Sequence, residues 1–136
     1  MEKKVICDTD ILIDYWDITK PRHQKTKSII ETNIELNNVV ISATTKMELM
    51  LGSFNKTDLQ ILIKKLHRFD IILLTPQITL KSFELLEKYY LSHSLALPDS
   101  LIAASSLITG FDLFTYNIKD FTFIEGIRLF NFQKMH

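Results

Sequence analysis

Three carboxylates in this 136-residue chain stand where they could do chemistry together. Asp8 directly follows the apolar run Val5-Ile6-Cys7. Glu48 lies one turn into a helical segment after Val39-Val40-Ile41, and Asp99 follows Pro98 at the start of a segment rich in small residues. Two carboxylates a few ångströms apart repel by about one to several kcal/mol, depending on the local dielectric. A fold that gathers these acids therefore needs a cation among them. Oxygen ligands with no histidine or cysteine contributing select a hard ion, Mg2+ or Mn2+. Such an ion suits the in-line attack of water on a phosphodiester. Each acid also has a plainer reading. Glu48 can complete a capping box with Thr45. Asp99 is favoured by the helix dipole, worth about 0.3–1 kcal/mol. Asp10 can cap the first helix, and Asp14 reads as a solvated helix residue. Asp8, at the end of a buried strand, is the hardest to explain away.

The elements that must position these acids alternate between two periodicities. Lys3–Cys7 reads as a strand, and Ile11, Leu12, Ile13 and Tyr15 begin a short helix. A second helix runs from His23 to Leu36 and stops at Asn37-Asn38, residues that tolerate turn conformations. Val39-Val40-Ile41 is a second strand, followed by a helix opened by Thr45 and ended by Gly52. Asn55 or Thr57 caps the next helix, which carries Leu59, Leu62, Ile63 and Leu66. Ile71–Leu74 is a third strand. Thr75-Pro76 then starts a helix with Leu80, Phe83, Leu86 and Leu91 on its inner face. The helix carrying Asp99 ends at Gly110. Leu113-Phe114-Thr115 is a fourth strand and Ile127–Phe130 a fifth. This alternation predicts one α/β domain spanning residues 1–136, with a mostly parallel sheet of four to five strands covered on both faces. In such sheets ligands bind beyond the carboxyl ends of the strands. Asp8 and Glu48 belong at that edge, as do Thr115, Asn117 and Asp120. Asp99 joins them only if its helix starts over the same edge.

Composition bounds the rest. The formal net charge is zero, so attraction to nucleic acid must come from how charge is distributed. Lys20, Arg22, His23, Lys25 and Lys27 cluster, as do Lys64, Lys65, His67 and Arg68. The lone cysteine, Cys7, excludes an internal disulfide and reads as a small core residue. No stretch is apolar for long enough to cross a bilayer, and Met-Glu-Lys-Lys with its three-residue apolar run lacks the pattern of a secretion signal. The expectation is a soluble cytoplasmic protein without a membrane partner.

Four segments, in order, resemble the motifs of the PIN-domain family. Val5 to Asp14 resembles the opening strand followed by Asp-Thr-x-x-Leu-Ile. Ile41-Ser42 through Glu48-Leu49 and Gly52 resembles the second motif, and Leu97-Pro98-Asp99-Ser100-Leu101-Ile102-Ala103-Ala104 the third. Leu113 through Phe121 resembles the closing Thr-x-Asn-x-x-Asp-Phe segment. The resemblance implies a three-layer α/β/α fold in which Asp8, Glu48 and Asp99 are the catalytic, metal-binding acids. It implies a Mg2+- or Mn2+-dependent endoribonuclease that leaves a 5′-phosphate. A further acid is common in the family near Asn117; this chain has Asn there, which brings no charge, so the resemblance leaves Asn117 and Asp120 as candidates for a fourth metal position. Thr9 and Thr115 can hydrogen-bond the acids. A chain this short, without added domains, is most similar to VapC-type toxins, which implies a cognate antitoxin and a homodimer. Phe54, Leu59 and Leu62 could serve either contact or the core.

Three other readings compete: a stand-alone PIN nuclease in RNA processing, a PIN-like binding module that has lost activity, and a phosphohydrolase of the haloacid dehalogenase kind. Asn117 is the feature that points to the binding module. The dehalogenase motif needs Thr or Val two residues after the second Asp, where this chain has Leu12. With Asp14 read as solvated, Asp14→Asn is expected to be nearly silent.

Overall fold

Successive side chains of a strand point to opposite faces of a sheet, and the first strand, β1 (Val5–Cys7), divides the core accordingly. Val5 and Cys7 enter one cluster and Ile6 the other. In β2 (Val39–Ser42), Val39 and Ile41 face the first cluster and Val40 the second. With β3 (Asp70–Ile72) and β4 (Asp112–Phe114) they form one parallel sheet in the order β3-β2-β1-β4. The computed structural model describes residues 3–134.

Helices cover both faces, giving three layers. On one side lie α1 (Thr9–Trp16), α2 (His23–Ser28) with the π-helical turn Ile29–Ile34 that continues it, and α4 (Lys56–Leu66). They contribute Ile11, Leu12, Ile29, Ile30, Ile34 and Leu66 to the first cluster. On the other lie α5 (Pro76–His93) and α6 (Leu97–Thr109), with Ile78, Leu85, Tyr89, Ile102, Ala103 and Ala104 in the second. The remaining helix, α3 (Ala43–Leu51), leaves β2 at its carboxyl end. No described helix is long and apolar enough to cross a membrane.

Several expectations are corrected. Ile127–Phe130 is not a full strand. Leu129 makes an isolated parallel bridge to Leu113, flanked by hydrogen bonds from Leu113 N–H to Arg128 O and from Phe130 N–H to Leu113 O, so the sheet has four strands. The inner face of α5 is Ile78, Ser82, Leu85 and Tyr89, whereas Leu80, Phe83 and Leu91 are 62%, 58% and 92% exposed. Both sets follow the helical period, so periodicity could not choose between them. Contact with α6 chose, through a buried Ser82–Ser100 hydroxyl pair 2.8 Å apart. The second helix ends at Glu35, whose φ of 74° stops it, before the expected Asn37-Asn38. Asn38 still helps to close it, donating from Nδ2 to Ile34 O.

Asp14 is not solvated. It is buried, its Oδ2 accepts from Arg22 Nε at 2.9 Å, and its carbonyl lies 3.0 Å from His23 Nδ1. These two contacts join the end of α1 to the start of α2. A buried hydrogen bond to a charged group contributes about 1.5–3 kcal/mol. Asp14→Asn should therefore lower the denaturant midpoint by the equivalent of about 1–2 kcal/mol with an unchanged m-value. An unchanged midpoint would show that the pair carries no stability.

Candidate active site

The sheet order reverses between β1 and β4: β1, β2 and β3 step outward in one direction, and β4 lies on the other side of β1. That crevice, at the carboxyl ends of the strands, is where open α/β sheets hold ligands. Asp8 occupies it. Its N–H donates to Phe114 O at 2.9 Å, which extends the β1–β4 ladder by one bond, and its carboxylate is held from two sides. Oδ1 accepts from Thr9 N–H at 2.8 Å, so Asp8 caps α1, and Oδ2 accepts from the Thr115 hydroxyl at 2.8 Å. Asp10 is therefore not the cap.

Glu48 reaches the same place from α3. The residue that caps α3 is Ser42, whose Oγ accepts from Thr45 N–H at 3.0 Å. The expected capping box between Thr45 and Glu48 does not form, because Thr45 already lies inside the helix and Glu48 lies beyond its first turn. The Glu48 Oε1 instead accepts from the Thr9 hydroxyl at 2.7 Å. Thr9 thus touches two acids, donating its N–H to Asp8 and its hydroxyl to Glu48. Asp99, in the first turn of α6, completes the group. Burial raises its carboxyl to about 6, and the charges of Asp8, Asp120 and Glu48 push in the same direction. Asp120 lies in a short 3-10 turn after β4, close enough for its charge to act on both Asp8 and Asp99. The Asn117 side chain is exposed, and its backbone N–H donates to Thr115 Oγ1.

Burial likewise raises Asp8, against the two hydrogen bonds that favour its charged form, and the charges of Glu48 and Asp120 add to the rise. Asp10 is an acid that residue types and spacing do not assign to the site. Burial, with the Asp8 charge next, lifts it to about 7; its Oδ2 accepts from Tyr116 N–H at 3.0 Å, while Oδ1 is buried without a partner. Its position two residues after Asp8, at the start of the same helix, is the available signal.

Asp8, Glu48, Asp99 and Asp120 form no ion pair with any described residue. Among the described residues no group of three or more Asp, Glu, His or Cys side chains is drawn together as a ready-made metal site. The acids offer carboxylate oxygens only, a donor chemistry that fits a hard cation such as Mg2+. They do not suit a dehydrated four-ligand site of the structural zinc type.

The PIN domain family profile matches residues 5–123. No curated protein matches the sequence significantly. Among solved structures, a chain of a toxin–antitoxin complex from Klebsiella pneumoniae is 31% identical, with 91% of this chain and 95% of that chain covered and a TM-score of 0.72. A chain of VapBC2 from Rickettsia felis, solved bound to a DNA fragment from its promoter, is 23% identical over 93% and 96% of the two chains, with a TM-score of 0.73. A chain of FitAcB from Neisseria gonorrhoeae is 20% identical over 95% and 98%, also with a TM-score of 0.73.

The raised acids set a pH dependence. Between the ordinary 3.8 and the raised values of about 6 for Asp99 and about 7 for Asp10, the folded protein holds protons that the unfolded chain has released. Stability must then fall as pH rises through that window. The Tm of chelator-treated protein should drop by a few degrees from pH 5 to pH 8, Asp99→Asn should flatten the drop, and Mn2+ should restore more of it at pH 8 than at pH 5. A flat or rising profile would mean that burial and neighbouring charge do not hold Asp99 and Asp10 above their ordinary range in the fold.

Proposed function

The chain belongs to the PIN-domain family, and on that premise we propose that it is a VapC-type toxin, a Mg2+- or Mn2+-dependent endoribonuclease. The observation that carries the reading is that Thr9 hydrogen-bonds both Asp8 and Glu48 at the sheet's switch point, with Asp99 and Asp120 near enough for their charges to act on that group and none of the four in an ion pair among the described residues. Asp8, Glu48 and Asp99 would hold the ion, and Asp120 fits the fourth position better than Asn117 because it brings charge to Asp8 and Asp99. When bound, the ion supplies charge neutralisation for an attacking water and for the scissile phosphate.

The chain's own residues do the rest. Thr115 fixes one Asp8 oxygen and Thr9 fixes Glu48, so both carboxylates meet the substrate already oriented. The half-buried Asp99, raised by burial and by the neighbouring acids, is a carboxylate that a bound cation would favour in its charged form. The fold is shared with chains of toxin–antitoxin complexes, which supports a cognate antitoxin as partner. Exposed Leu51 and Phe54 beside α3, and Leu80, Phe83 and Leu91 on α5, offer apolar surface for the antitoxin and for a second copy of the chain.

Purified protein incubated with total cellular RNA and Mg2+ or Mn2+ should cut it to products bearing 5′-phosphates, and chelation should stop the reaction. Asp8→Asn, Glu48→Gln and Asp99→Asn should each reduce cleavage to near background with the fold intact by circular dichroism. Thr115→Val should lower the rate by about 10–100-fold. Wild-type rates in the three acid variants would refute the assignment, and a wild-type rate in Asp120→Asn would remove that residue from the site.

A further inference from the structure

A cleft lined by carboxylates repels a polyanion, and the chain's zero net charge supplies no general attraction to offset that. A bound metal ion would offset that repulsion at the scissile phosphate, and cations beside the cleft would offset it along the rest of the strand. One cation is held in a fixed pose close enough for its charge to act on Asp10, two residues from Asp8. The Arg22 guanidinium lies over the Tyr116 ring, 4.0 Å from its centroid. Tyr116 follows Thr115, the residue that holds Asp8, and its own N–H donates to Asp10. The ring is itself immobilised. Its hydroxyl pairs with Thr26 at 2.6 Å, and Phe114 and Phe132 meet it edge-on with centroids 5.4 and 5.0 Å away. Arg22 is thus held on two sides, by buried Asp14 through Nε at 2.9 Å and by an aromatic face.

The way it is held leaves it available. Only Nε is engaged, no hydrogen bond from either Nη atom is found among the described residues, and half of the side chain is exposed. An arginine whose sole task was to neutralise Asp14 would do so best with both prongs of its fork. Here the fork is open. Lys25 stands beside it, its Nζ 5.0 Å from the Phe132 centroid and 6.0 Å from that of Tyr116, with exposed Lys20 nearby in sequence. A pre-oriented guanidinium with free Nη donors matches the geometry of a phosphate and loses little side-chain entropy on binding one. We propose that Arg22, clamped between Asp14 and Tyr116 and assisted by Lys25, is a positioning residue that grips a backbone phosphate of the RNA strand beside the acidic cleft. This rests on the nuclease reading and names how that site would hold its substrate. An acidic segment of a protein partner is the other polyanion the same arm could take.

Arg22→Ala would leave Asp14 buried and unpaired, so the test uses the paired variant Asp14→Asn/Arg22→Gln, which keeps an amide–amide contact, together with Arg22→Lys and Lys25→Gln. In an Asp99→Asn background, which prevents cleavage, binding of a fluorescent single-stranded RNA oligonucleotide is titrated in Mg2+ at several salt concentrations. In the otherwise unaltered protein, KM and kcat are measured on the same RNA. The paired variant should weaken binding by about 10-fold or more and lower the slope of log K against log salt by about 1. It should raise KM far more than it changes kcat. Arg22→Lys should recover part of the affinity because it restores the charge without the fork, and Lys25→Gln should give a smaller loss of the same kind. If the parent cleaves RNA but the paired variant, folded by circular dichroism, matches it in affinity, salt slope and KM, the arm does not hold RNA, and the nuclease reading stands without it. Losses that appear only with an acidic peptide as ligand would exclude the RNA role in the same way. If the parent neither binds nor cuts RNA, both readings fall together.

Discussion

Asp8 lies at the carboxyl end of the central strand, nearly excluded from water, with each carboxylate oxygen committed to a donor on a different element. Thr9 comes from the helix that follows β1, and Thr115 from the residue that follows β4. Those two hydrogen bonds favour the charged form, and burial opposes it more strongly. The rest of the site adds to that opposition, since the charges of Glu48 and Asp120 act on Asp8, and those of Asp8, Asp120 and Glu48 act on Asp99. A fold under selection for stability alone would place salt-bridge partners or apolar groups there. Charge gathered in this way is the kind of local conflict that functional sites carry.

Local helix chemistry delivers the acids without tying them up. At α3 the cap is Ser42, the last residue of β2, so the helix begins directly from the strand and Glu48 is spared a capping role. At α6 the first turn holds Asp99, where the dipole offsets part of the cost of an acid among acids. Small residues, Ala103, Ala104 and Ser105, are fully buried, and the two alanines join the cluster that includes Ile6, Val40 and Leu113 of the sheet. Each device is ordinary; the site arises from their pointing at one crevice.

Much of this is legible from residue types in order. The alternation of β-branched runs with helical periods implies a parallel sheet covered on both faces, and the acids following strands imply a shared edge. Other features depend on which of two acceptable arrangements packs better. Leu80, Phe83 and Leu91 have as good a helical period as Ile78, Leu85 and Tyr89, and only the contact of α5 with α6 selects the second set. The Ile127–Phe130 stretch has strand composition but forms a single bridge to β4, and the chain turns into a 3-10 helix directly after it, at Phe132–Lys134. Asp14 reads as a surface residue because no local pattern marks a carboxylate whose partner lies eight positions on, across a loop. Asp10 reads as a cap for the same reason: its true partner, the Tyr116 amide, is 106 residues away.

The sequence by itself determined the α/β class, the order of the elements and the presence of Asp8, Glu48 and Asp99 at their ends, since periodicity and turn chemistry are properties of neighbouring residues. Only the tertiary structure decided that Asp120 joins them, that Thr9 bridges two acids, and that Arg22 is pinned against Tyr116. These depend on contacts between segments far apart in the chain, and on burial, which converts an ordinary carboxylate into one that resists its charge. Neither exists until the layers have packed.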